Sequence, residues 1–135
     1  MTEEIIQGCI DIADEVGNTK IGRPNQGGSD DDRNYIESPY SLNSIEDFQD
    51  NIRSIENSYF GSVSGDPSIS DYIKSVNPSL DAEMRTAIDN SIKAIGAIPE
   101  PFAKNARSQA ATNAVKVTGT DLVATLEKVY SQLAN

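Results

Sequence analysis

Ser44-Ile45-Glu46-Asp47-Phe48-Gln49-Asp50-Asn51-Ile52-Arg53-Ser54-Ile55-Glu56-Asn57-Ser58-Tyr59-Phe60-Gly61 is the stretch whose reading decides the fold. Ile45, Phe48, Ile52, Ile55 and Tyr59 recur in steps of three and four, so they form one apolar stripe along a helix. Ser44 with Asp47 three positions on has the form of a capping box, and Gly61 offers a stop. Upstream, Thr2 caps a first helix with Glu3 and Glu4 in its opening turn. Ile5, Cys9, Ile12, Ala13 and Val16 then predict a helix over about residues 3–16, with Gly17 as its end.

Downstream, Ser68 and Asp71 repeat the cap signal over a two-turn segment carrying Ile69, Tyr72, Ile73 and Val76, which Asn77-Pro78 ends. A long helix follows from Ser79, with Leu80, Met84, Ala87, Ile88, Ile92 and Ile95 on one side, and Pro99 and Pro101 force Ile98 to Phe102 to be extended. In the last segment Ala111, Val115, Thr118, Leu122, Leu126, Val129 and Leu133 keep one helical phase. An interior glycine costs only about 1 kcal/mol relative to alanine, so one helix is expected over about residues 109–133, straight through Gly119. Period-two alternation is nowhere convincing. The fold class expected is all-α: one domain over residues 1–135, an antiparallel four-helix-bundle-like structure with one long ordered polar loop after the first helix.

Composition excludes whole classes of chemistry. Histidine is absent from all 135 residues. Ser-His-Asp triads, Cys-His pairs and HExxH zinc sites therefore cannot be built from this chain alone. With 21 acidic against 11 basic residues the net charge is −10, which repels nucleic acid phosphates and anionic lipid headgroups. Nucleic acid is not an expected partner, and no stretch is long and apolar enough for a transmembrane segment. Ile6-Gln7-Gly8-Cys9 mimics the end of a lipoprotein signal, but the residues before it lack the basic start and the apolar stretch of one. Cys9 reads as a small buried hydrophobe on a helix.

Residues 17–43 form the long polar connection, and connections of this length are usually functional or disordered. Tyr35, Ile36 and Tyr40 supply apolar anchors that favour order. Asp30, Asp32 and Asn34 imitate the first ligands of an EF-hand, yet Tyr35 stands where glycine is required and Ser41 where a bidentate glutamate is required. No calcium loop is expected, and Gly27-Gly28-Ser29 lacks the setting of a phosphate loop. Asp14 and Glu15 fall at the carboxyl end of the first helix, where the macrodipole disfavours negative charge. Lys20 and Arg23 follow closely, either as an ion-pair cluster that staples the loop or as part of a binding site. Glu37, Ser38, Ser41, Asn43 and Ser44 converge before the second helix, where turn and cap duty accounts for most of them. Asn51, Arg53 and Asn57 lie off the apolar stripe, open to solvent or to a partner.

Three blocks together resemble a known family: Ile10-Asp11-Ile12-Ala13-Asp14-Glu15-Val16-Gly17-Asn18-Thr19-Lys20-Ile21, Glu37-Ser38-Pro39-Tyr40-Ser41-Leu42-Asn43-Ser44, and Asn51-Ile52-Arg53-Ser54-Ile55-Glu56-Asn57-Ser58-Tyr59-Phe60-Gly61. With Ile98-Pro99-Glu100-Pro101-Phe102 they are similar to the carboxyl-terminal half of an imelysin-like protein. The resemblance implies a protein of two helical bundles, extracytoplasmic in the periplasm or at the cell surface, often an outer-membrane lipoprotein, and linked to iron uptake. Its GxHxxE signature belongs to the amino-terminal half, which is the partner implied here, in the same protein or on a separate chain. The implied cofactor is none in this chain, with iron or another divalent metal in the complete protein.

Onto this chain the resemblance carries Asp14, Glu15, Lys20, Glu37, Ser38, Ser41, Asn43, Ser44, Asn51 and Asn57 as ligand-binding residues or as polar support for the missing histidine and glutamate. Leu42 stands where many relatives have a polar residue, which counts against the loop itself chelating metal. The function expected is a binding domain whose site is completed by the GxHxxE half, with little activity alone. Two alternatives stand beside it. One is half of a metallopeptidase with Glu15 or Glu37 as general base. The other is a structural bundle that binds a partner through an apolar face.

Overall fold

The computed structural model describes residues 2–26, 44–62 and 65–135, which fold as an all-α bundle. Helix α1 (Thr2–Asp14) passes without a break into a π-helical segment, π1 (Glu15–Ile21), and then into α2 (Gly22–Gln26). Next come α3 (Ser44–Phe60), α4 (Ile69–Val76), α5 (Pro78–Gly96) and the single turn α6 (Phe102–Asn105). The last rod is α7 (Gln109–Lys116), π2 (Val117–Leu122) and α8 (Val123–Ala134), again continuous.

Side-chain bonds between the rods establish that neighbours run antiparallel. Gln49 Nε2 donates to the Ile92 carbonyl at 3.0 Å and Tyr59 Oη to Asp81 Oδ1 at 2.8 Å, so α3 and α5 run in opposite senses. Ser91 Oγ lies 3.5 Å from the Val117 carbonyl and Lys128 Nζ 2.9 Å from Glu83 Oε1, which does the same for α5 and the last rod. Asn18 Nδ2 donates to the Gly119 carbonyl at 2.9 Å and Asn25 Nδ2 to the Ala106 carbonyl at 3.0 Å, pairing the first rod with the last. Since α1 also packs on α3, the four rods close an up-down-up-down ring.

The core is the set of stripes read from the sequence, with phase corrections. All five stripe residues of α3 are buried, as are Leu80, Met84, Ile88 and Ile95 of α5. Each such side chain contributes about 1.5–3 kcal/mol by leaving water. In α1 the buried set is Ile6, Cys9 and Ala13, continued by Val16 in π1, whereas Ile5 is 43% exposed. Tyr72 and Val76 of α4 likewise face outward, because Ile69, Ser70 and Ile73 occupy its inner side.

Local signals explain most boundaries. Ser68 and Asp71 form a reciprocal capping box, the hydroxyl accepting from Asp71 N–H and the carboxylate from Ser68 N–H, each at 3.0 Å. Asn77 Oδ1 accepts from Leu80 N–H, and Pro78 takes the first turn of α5, where its missing N–H costs nothing. The segment after α5 is not extended throughout, as Pro99 and Pro101 led one to expect: it bends at Ile98, Glu100 and Pro101, and Pro101 itself has extended φ and ψ. Phe102 opens α6 instead, because that turn seats its ring edge-on against Phe48 with centroids 5.2 Å apart.

The end expected at Gly17 is not there. Gly65, not Gly17, is the glycine with positive φ among the described residues, so no left-handed cap forms at Gly17. Gly17 serves a close approach instead: a Cβ placed on it would come within 2.5 Å of Gly119 Cα in the opposing rod. The rods touch backbone to backbone there. Residues 17–26 of the expected loop are therefore helical, and residues 27–43 lie outside the described residues. Those include Glu37, Ser38, Ser41 and Asn43, the Asp30, Asp32 and Asn34 triplet, and the Tyr35, Ile36 and Tyr40 anchors. Gly119 does lie inside one continuous helix, at the centre of π2.

Candidate functional site

The wide turn π1 decides which side chains meet. At 3.6 residues per turn, positions five apart on an α-helix stand about 140° from each other. In a π-helix the backbone bonds run from i to i+5, so the turn is wider and the fifth residue comes back much closer to the side of the first. Glu15 and Lys20 are five apart, as are Val16 and Ile21, and π1 spans both pairs. Val16 and Ile21 are accordingly both buried, while Glu15 and Lys20 both line one open groove with Asp11, Ile12, Val16 and Asn51. The groove has a volume of about 340 Å³ and runs between the first rod and α3.

This brings together three of the candidate residues, Glu15, Lys20 and Asn51, and separates the others. Asp14 leaves the groove side: its Oδ1 accepts from Asn18 Nδ2 at 2.8 Å, toward the last rod. The dipole penalty expected for Asp14 and Glu15 does not arise, because the helix continues to Gln26 and neither carboxylate is at its end. Ser44 is buried in the first turn of α3. Asn57 is exposed on α3, away from the groove lining, and Arg53 pairs with Asp50 at 2.6 Å. Glu37, Ser38, Ser41 and Asn43 lie outside the described residues.

Chemically the groove offers two carboxylates, an ammonium and an amide above an apolar floor of Ile12 and Val16. That set suits a polar or charged ligand held by salt bridge and hydrogen bond. It does not suit a metal on its own: among the described residues no three Cys, Asp or Glu side chains gather closely enough to hold one. Cys9 adds nothing, since burial pushes its thiol up to about 11 against a smaller opposing effect of the Ser58 hydroxyl.

Two groupings escaped the reading of the sequence. The first is Gly17, Asn18 and Gly119, where the two wide turns meet. The five-residue step from Val16 to Ile21 was its only signal. The second is a buried polar knot around Asp81, which is 3% exposed. Ser70 Oγ donates to its Oδ1 at 2.6 Å, Tyr59 Oη to the same oxygen at 2.8 Å, and Arg85 Nε to its Oδ2 at 3.1 Å. Burial alone would raise the carboxyl, but the three donors and the guanidinium charge outweigh it and hold Asp81 below its ordinary range. Burial and the adjoining carboxylate push the Tyr59 phenol up. The Arg85 guanidinium also lies over the Phe60 ring, 4.5 Å from its centroid. The knot ties α3, α4 and α5 together.

A family model described as Imelysin matches residues 1–133. Among solved structures, an imelysin peptidase from Bacteroides ovatus superposes with a TM-score of 0.88 at 37% identity, over 98% of this chain and 40% of that one. A protein named as an iron-regulated protein A precursor, from Parabacteroides distasonis, does so with a TM-score of 0.83 at 33% identity, over 96% of this chain and 40% of its own. No curated protein matches. The chain thus spans about two fifths of the length of the solved structures it resembles. A match to the family model over nearly every residue, together with the same backbone at 37% and 33% identity, establishes that the chain belongs to the imelysin family.

Proposed function

We propose that this chain is one bundle of an extracytoplasmic imelysin-like binding protein, its Glu15–Lys20–Asn51 groove forming one wall of a cleft that a GxHxxE-bearing bundle closes. The observation that carries the reading is the groove itself. A wide turn brings an acid and a base five residues apart to one side, over an apolar floor and beside Asn51. Iron, or a ligand that bears iron, is the cargo. The iron-regulated name of one solved relative supports that choice, as its description as a precursor supports an extracytoplasmic site. With no histidine in 135 residues, this chain leaves the imidazole to the other bundle.

The test joins this chain to a GxHxxE-bearing bundle and titrates the complex with ferrous ion, ferric ion and haem by calorimetry. Saturable binding that weakens at least tenfold in Glu15→Gln and Lys20→Ala, without hydrolysis of an unstructured peptide, is the expected result. Peptide turnover abolished by chelator would replace the reading with a metallopeptidase in which Glu15 serves as base. Absence of any interaction between the two bundles would remove it altogether.

A further inference from the structure

We infer that Asn18 is a positioning residue: by clasping the two wide turns together it holds the helical register that sets Lys20 beside Glu15. Its Nδ2 donates to Asp14 Oδ1 at 2.8 Å, across the joint between α1 and π1, and to the Gly119 carbonyl at 2.9 Å in π2. Both protons of one amide are thereby used. The bond to Asp14 has the added strength of a charged acceptor. Gly17 and Gly119 supply the other half of the device, since only paired glycines let the backbones approach closely enough for so short a side chain to span the gap.

The wide turns do not hold themselves open. Each departs from the geometry the backbone prefers, and π-helical turns are rare, occurring mostly as single-turn bulges inside α-helices and frequently at functional sites. π2 also leaves the fully buried Thr118 hydroxyl without a partner among the described residues. If π1 closed to an α-turn, the chain beyond it would turn by about 100° for the residue withdrawn. Lys20 would then stand about 140° from Glu15 and leave the groove. The functional weight of the clasp rests on the reading of that groove as a binding wall; the clasp itself rests on the two bonds and the paired glycines.

Asn18→Ala tests it directly. The residue is solvent-facing, so the core stays intact, and alanine favours the α-turn. Gly119→Ala is the second variant: its Cβ would lie 2.7 Å from Asn18 Cγ and 2.9 Å from Nδ2, so the amide must swing away and drop both bonds. The readout is the set of scalar couplings across amide hydrogen bonds in the isotope-labelled full chain, which names the acceptor of each N–H. In the parent protein the acceptors through π1 lie five residues back. Both variants are expected to move them to four back, whereas Asp81→Asn, which loosens a distant knot, leaves them at five. Acceptors still five back in Asn18→Ala and Gly119→Ala would overturn the inference.

Affinity for the GxHxxE-bearing bundle, measured on the same variants, separates this from the functional reading. A register shift with a tenfold or larger loss of affinity supports both. A register shift with unchanged affinity leaves the clasp standing and refutes the groove as the docking wall.

Discussion

Replacing Gly17 and Gly8 by alanine, one at a time, applies the same chemical change to the same rod with opposite consequences. At Gly8 an added Cβ meets nothing within 4 Å, and the position is exposed in the interior of α1. Only the helix preference of alanine then counts, a gain of about 1 kcal/mol. At Gly17 the same atom falls 2.5 Å from Gly119 Cα and 3.0 Å from the Thr118 carbonyl carbon. Carbon atoms rest about 3.5–4.0 Å apart, so the rods must separate by roughly 1 Å. The obstacle is backbone and cannot rotate aside. Overpacking of a tight core costs about 1–3 kcal/mol and occasionally more. Here it sits at the upper end, because separation also thins the packing around Val16 and Leu122. After the alanine preference is credited, the net loss is about 2–3 kcal/mol.

For a chain of this size 1 kcal/mol moves Tm by about 4 °C, so Gly8→Ala should melt about 4 °C higher and Gly17→Ala about 10 °C lower. Thermal melts followed by circular dichroism, with urea midpoints as a check, read both. A Gly17→Ala protein as stable as the parent would refute the backbone contact between the wide turns, and with it the account of π1.

The Asp81 knot predicts a pH signature. Its folded carboxyl lies below the ordinary value, so it adds stability above about pH 4, the unfolded value, and that share is lost as pH falls from there through the folded value. Urea midpoints taken from pH 7 to pH 2 should show the advantage of the parent over Asp81→Asn shrinking below about pH 4; a gap independent of pH would contradict it. Tyr59→Phe, which removes one of the three donors, should cost about 1–2 kcal/mol at neutral pH in the same assay. Cys9, at 2% exposure and with its thiol raised to about 11, should resist a thiol-specific disulfide reagent at pH 8 until urea unfolds the chain. Reaction at the rate of a free thiol in native buffer would show the first rod open.

The bundle was legible because its stripes are dense. In α3 five large side chains at helical spacing leave no rival reading, and the Ser68–Asp71 box is local chemistry that needs no tertiary partner. The site was legible only in part. Glu15, Lys20 and Asn51 were named, but the reason they meet was not, since Gly17 read as a stop. A glycine looks the same in sequence whether it ends a helix at positive φ or admits a neighbouring backbone. Choosing between the two takes knowledge of Gly119, a hundred residues away. The step of five from Val16 to Ile21 is a hint, since on a regular α-helix the two would stand about 140° apart and strain a single apolar stripe. Asp81 was missed for a related reason. An acid in the first turn of a helix is ordinary, and burial among Tyr59, Ser70 and Arg85 depends on three separate helices converging.

What the residues alone determined is the class of structure and the limits of its chemistry: helices from apolar periodicity, and no imidazole because none is encoded. Those follow from short-range spacing and composition, which folding cannot alter. What only the packed molecule decided is where the helices widen and which polar groups face one another. Both depend on two glycines from opposite ends of the chain pressing together, and on an asparagine reaching across the seam they leave.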